Sequence, residues 1–270
     1  MYAKYNPFLP TRNFLAQLSL LELGSIEDRY FFWRSYTRKT DISPRFHKGF
    51  LFSTVQTRDH SLYPGSSSIF IDPIDACIIV TLNGTQEGKA GGAQISNYVT
   101  LRKSRVPWAP QTTAQRGFLK LYIEQSQELM KEVFDALNQH EGYDLIFTGY
   151  SLGGGLCQLA AWHFLALCNA DPTSMVANVP NIKIVSFGAP RTWTPSSVRE
   201  FNKTVENTKS QSKRVEIYRY QVKEDHIPSL PPKWAGFLDN VTEEMADDTS
   251  AAAQGAYSDY KFVDKQELET

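Results

Sequence analysis

Histidine is scarce in this sequence: five among 270 residues, at positions 47, 60, 140, 163 and 226. Chemistry that needs an imidazole therefore has few candidates. Neither sign of charge dominates, with 28 Lys and Arg against 29 Asp and Glu. No global field favours nucleic acid or an anionic membrane, and no nucleic-acid partner is expected. No apolar run approaches the ~20 residues that a bilayer-spanning helix needs. The opening MYAKYNPFLP lacks the basic start and apolar run of a secretory signal, so a cytoplasmic or other intracellular location is expected. Cysteines number three. An odd count in segments patterned as strand (Cys77) or helix (Cys157, Cys168) reads as buried reduced thiols rather than a disulfide framework. No metal-ligand spacing or phosphate loop occurs, so neither a metal nor another cofactor is expected.

What remains is an ordinary globular composition, 41% hydrophobic and 21% charged, on a chain long enough to bury one large core. Strand and helix patterns alternate along it. SIFIDPIDACIIVTL (68–82) reads as a hairpin hinged at Asp72-Pro73. In 116–140, Leu119, Tyr122, Ile123, Leu129, Met130, Val133, Phe134 and Leu137 recur at helical spacing. A strand over 144–149 runs into a helix from about 152 to 169, and IKIVSFGAP (182–190) and RVEIYRYQV (214–222) supply two more strands. This alternation predicts an α/β fold, a mainly parallel central sheet with helices on both faces, whose ligands bind at the carboxyl ends of the strands. One domain is expected over 1–240. Residues 241–270, rich in acidic and small side chains, read as a flexible tail.

The chemistry centres on DLIFTGYSLGGGLCQLAAWHF, 144–164. A Gly-x-Ser-x-Gly match alone arises by chance about one time in ten in a chain of this length. Here it follows an apolar strand and opens a helix, the place where a strained turn lifts a serine hydroxyl clear of the sheet. Gly149 and Gly153 are expected because a side chain at either would collide across the turn, and Gly154 and Gly155 because the helix packs closely. The Leu152 amide at the helix N-terminus is placed to donate to a developing oxyanion. A helix N-cap is the plainer role for Ser151.

These residues resemble the fungal-lipase-like, or class 3, lipases of the α/β-hydrolase superfamily. TGYSLGGG (148–155) is similar to their nucleophile elbow, with Tyr150 where that family usually has histidine. VTLNGT (80–85) resembles the strand end that completes their oxyanion hole, which assigns Thr85 the second donor and places Asn83 where the family carries arginine. VSFGAPR (185–191) resembles the strand after the elbow, and DHIPSLPP (225–232) the turn that supplies the triad acid, Asp225. The resemblance spans about 70–240. It implies an acyl-ester or other lipid substrate, and it makes 86–112 a lid that touches lipid surfaces transiently, although a plain surface loop fits that segment nearly as well.

The base is the difficulty. Serine needs an adjacent proton acceptor, in this chain order a histidine beyond the aspartate. After Asp225 comes His226, and consecutive residues in an extended segment point apart. In the register of the family pattern, Asp239 stands where the histidine is wanted. If it approached Asp225, the pair could share a proton or hold a cation, and a histidine at 239 would restore a base. His163 lies about 18 Å along the helix from Ser151 and reads as a core or groove residue, and His140 as a helix C-terminal residue. Two readings follow: a lipase-like ester hydrolase with Ser151 as nucleophile, or a catalytically impaired lipase fold serving as a lipid-binding or regulatory module.

Overall fold

The computed structural model describes residues 51–56, 66–73, 75–82, 99–171, 179–211, 213–220 and 226–239. Thr85, Asp225, His47, His60 and the expected tail at 241–270 lie outside the described residues. In chain order the elements are β1 (Leu51–Gln56), β2 (Ser66–Asp72), β3 (Cys77–Leu82), β4 (Lys103–Val106), β5 (Ala109–Gln115), α1 (Arg116–Gln139), β6 (Asp144–Tyr150), α2 (Leu152–Ala170), β7 (Asn181–Phe187), α3 (Pro195–Ser210) and β8 (Arg214–Tyr220).

Six strands form one sheet in the order β1-β2-β3-β6-β7-β8. The expected hairpin is present, with β2 antiparallel to β3 and Asp72 opposite Cys77. From β3 onward the pairing is parallel: Leu82 is level with Gly149, Tyr150 with Phe187, and Phe187 with Tyr220. The carboxyl ends of four strands therefore finish together along one edge. Every residue of β3 is buried, as is nearly all of β6 and β7. Burial on both faces is what allows runs such as CIIVTL and LIFTG, with no polar alternation, to be strands. At the opposite edge, Asp144 accepts from Asn181 Nδ2 at 2.7 Å and lies 3.7 Å from the buried Lys183 ammonium. This paired charge fastens the amino ends of β6 and β7.

Helix α1 packs against α2, and α2 against α3. The α1 stripe differs in part from the expected one. Phe118 and Leu121 are buried, whereas Ile123 is 44% exposed, because the inward face follows 118, 121, 122, 125 and 129. Gln115 caps α1, its side chain accepting from the Phe118 amide at 2.8 Å. Helix α3 arises in a segment to which the sequence reading assigned no element. Thr194 and Ser197 form a reciprocal capping box, and Pro195 opens its first turn.

The segment expected to be a lid or loop over 86–112 is structured at its far end. Residues 103–115 form the antiparallel pair β4-β5, with Val106 fully buried. At its tip Trp108 stacks on His163 (centroids 4.6 Å) and meets Tyr122 and Trp162 edge-on. Trp108 is partly buried and packs against the core, so this half of the segment is an arm held to the fold. Trp193 ties the arm to the rest of the fold. Its backbone bridges Ala114 on one side and Leu238 on the other, and its ring lies 5.2 Å from Trp162 and 4.9 Å from Phe201.

Candidate active site

Strand β6 ends at Tyr150 and α2 begins at Leu152, so a single residue turns the chain. That residue is Ser151, at φ 52°, ψ −120°, a conformation that costs a side-chain-bearing residue about 1–3 kcal/mol and persists only where the surroundings impose it. The surroundings are visible. The Ser151 amide donates to Phe187 O at 2.8 Å, anchoring the turn to β7. A Cβ built on Gly149 would stand 2.2 Å from Gly153 O, so nothing larger than glycine fits beneath the turn. On Gly154 it would meet Ala189 Cβ at 2.8 Å, and on Gly155 Thr192 Oγ1 at 2.8 Å. These glycines let α2 lie against the chain that leaves β7. The Ser151 side chain makes no capping hydrogen bond, so the plainer N-cap role does not account for it.

Ser151 O accepts from the amides of Gly154 and Gly155 at 3.0 and 3.3 Å. The amides of Leu152 and Gly153 thus belong to the first turn of α2, whose donors have no intrahelical acceptor. Leu152 itself is buried. A helix N-terminus offers both those donors and a favourable dipole to negative charge. Three residues beyond Leu82, which pairs with Gly149, the sequence reaches Thr85.

His226 is exposed and heads a one-turn helix over Ile227–Ser229. Its φ of −82° and ψ of −17° are helical, so the extended geometry expected there is not found. Asp239 lies within an ion cluster. Its Oδ2 is 3.3 Å from Arg191 Nε and its Oδ1 is 2.7 Å from Arg219 Nη1, the latter a charge contact outside hydrogen-bond alignment. Both arginine side chains are largely buried. The sequence reading missed the pair. Its available signals were an arginine inside the buried strand RVEIYRY and one directly after Gly-Ala-Pro, neither of which announces a partner.

The other histidines have structural surroundings. His163 Nδ1 is 2.8 Å from the Tyr122 hydroxyl, and burial lowers its pKa to about 4. Neutral in this aromatic cluster, it has the core role that was expected. His140 is the C-cap of α1, its backbone amide donating to Ala136 O at 3.0 Å. Cys77, Cys157 and Cys168 are free and buried, and burial raises each thiol pKa.

The family model for lipase (class 3) matches residues 79–234, which take in the elbow, the parallel strands and the turn after β8. The chain belongs to the class 3 lipase family. A lipase of Rhizomucor miehei is 30% identical over 180 residues, 64% of this chain and 45% of that protein. The chain spans about half the length of this curated relative. Among solved structures, a triacylglycerol lipase whose catalytic centre is a serine protease triad superposes with a TM-score of 0.59 at 22% identity, covering 84% of this chain and 76% of that one. The shared fold is that of the α/β hydrolases. A stretch of 45 residues is 53% identical to the ribosome biogenesis protein enp2 homolog of Schizosaccharomyces pombe. It covers 16% of this chain and 7% of that protein.

Proposed function

We propose that the protein hydrolyses acylglycerols or other carboxylic esters with Ser151 as the nucleophile. The observation that carries this reading is the φ of +52° at Ser151, imposed by a glycine-floored turn at the carboxyl end of a parallel strand. A strained serine without a capping bond, in a class 3 lipase, is what acyl transfer requires. In the proposed step, Ser151 Oγ attacks the ester carbonyl and its proton passes to a base. Charge then develops on the carbonyl oxygen, where the Leu152 amide and Thr85 donate to it. Collapse of the tetrahedral species expels the alcohol, which takes the proton, and water releases the acyl group by the same route. Asp225 orients the base. The base is either His226, which follows Asp225 in the sequence, or another group of the chain.

The lipid partner is proposed on the same footing. With 103–112 fixed as part of the hairpin arm, contact with a lipid surface falls to the segment before it, which carries Ile95, Tyr98, Val99 and Leu101 beside Lys89 and Arg102. Leu101 is 53% exposed.

One observation favours the second reading, an impaired lipase fold retained as a lipid-binding or regulatory module. Asp239, the residue standing where the histidine is expected, has its carboxylate engaged by two guanidinium groups. Hydrolysis of p-nitrophenyl butyrate by the parent and by Ser151→Ala separates the readings. The hydrolase reading expects turnover that the substitution lowers by about 10³ or more. Equal, near-background rates would leave the module.

A further inference from the structure

The turn that follows Asp225 is held from outside by two arginines. Arg219, on β8, donates from Nη2 to Ala189 O at 2.6 Å and to Pro228 O at 3.3 Å. Arg191, just beyond β7, donates from Nη1 to Ser229 O and, at 3.3 Å, to Pro231 O, while its backbone amide donates to Leu230 O at 2.6 Å. Four successive carbonyls, 228 to 231, thus receive donors from the two arginines. Ala189 is also the residue against which Gly154 of the elbow packs. A single guanidinium, that of Arg219, touches both the support of the nucleophile and the turn of the acid.

Charge makes this arrangement tenable. Two largely buried cations side by side would repel, and Asp239 lies between them with one oxygen toward each. The planar fork of arginine suits the task because it offers several fixed donors at once, whereas a lysine ammonium is a point charge on a flexible stem.

We propose that Arg219 and Arg191 are positioning residues that fix the turn at 226–232, which follows Asp225 in the sequence, relative to the nucleophile elbow, with Asp239 as their shared counter-ion. The catalytic part of this inference rests on the ester-hydrolase reading. Loosening the turn would weaken the hold of the aspartate on its base without altering where substrate binds.

The test compares the parent with Arg219→Lys and Arg219→Met on p-nitrophenyl butyrate across pH, beside amide hydrogen exchange in the peptide covering 221–232. Arg219→Lys keeps a cation for Asp239 and guards against simple misfolding. The expected result is kcat reduced at least tenfold, KM within twofold and faster exchange confined to that peptide. The acid limb of the pH profile moves to lower pH, because a base less well paired with a carboxylate is less basic. An active parent whose folded variants keep kcat and the acid limb would overturn the proposal. If the parent shows no Ser151-dependent turnover, the hydrolase reading fails separately, and exchange alone decides: faster exchange at 221–232 in Arg219→Met sustains the clasp, and unchanged exchange overturns it.

Discussion

Asp239 Oδ1 lies 2.7 Å from Arg219 Nη1, a contact between one turn of chain and the carboxyl end of a parallel strand. With Arg191 on its other oxygen, Asp239 is a counter-ion by geometry. The sequence register made it a substitute for a missing histidine, and on that basis Asp239→His would restore a base. The geometry predicts the opposite. A histidine there removes the negative charge between two guanidinium groups, so ester turnover is expected not to rise and stability to fall by about 2–3 kcal/mol, below the ~3–5 kcal/mol for breaking a fully buried pair because the site keeps some solvent contact. Urea unfolding and p-nitrophenyl ester assays of Asp239→His check both parts.

The floor of the elbow admits no side chain. Gly149→Ala would force a Cβ to 2.2 Å from Gly153 O, and because the obstacle is backbone, the turn itself must move. A loss of about 1–3 kcal/mol in stability is expected, together with loss of any Ser151-dependent activity. Denaturant midpoints and ester hydrolysis on the same preparation measure the two effects.

Two tryptophans make opposite predictions. Trp108 stacks on His163 at the tip of the hairpin arm, whereas Trp234 is 81% exposed. Because Trp108 is partly buried, Trp108→Ala is expected to cost about 2–3 kcal/mol, below the range for a core tryptophan, and Trp234→Ala to stay within about 0.5 kcal/mol of the parent. Equal effects in thermal unfolding would contradict the arm as an anchored element.

Burial lowers the pKa of His163 to about 4, well below the usual imidazole value near 6.5. Between those values the unfolded chain binds a proton that the folded one does not, so stability falls as pH drops from 6.5 toward 4. The full shift corresponds to roughly 3 kcal/mol, an upper value for a partly exposed ring. His163→Phe, paired with Tyr122→Phe to avoid stranding the hydroxyl, is expected to flatten this part of the stability profile. Calorimetric midpoints at several pH values give the comparison.

How much of this was legible in the sequence depended on whether the signal was local. The elbow was legible because strand, glycine pair and helix start are contiguous, and the steric reasons for Gly149 and Gly154 carried straight into distances. The parallel sheet was legible from uninterrupted apolar strands. Helix α3 carries a local start signal in Thr194-Pro195. The arm at 103–115 was not legible, since its order comes from Trp108 meeting residues of α1 and α2 that are distant in sequence. The roles of Arg191, Arg219 and Asp239 were hidden for the same reason: three charges from three segments acquire meaning only when the sheet brings them together. Ile123 was misassigned because periodicity alone leaves the edge of a helical stripe open by one position.

The most direct measurement is mass-spectrometric mapping of the protein after exposure to a fluorophosphonate, which reacts with activated serine hydroxyls. The account predicts one modified residue, Ser151, with modification lost in Ser151→Ala and after unfolding in urea. An unmodified Ser151 in folded protein, under conditions where a control serine esterase is fully labelled, would contradict the claim that this strained turn carries a nucleophile.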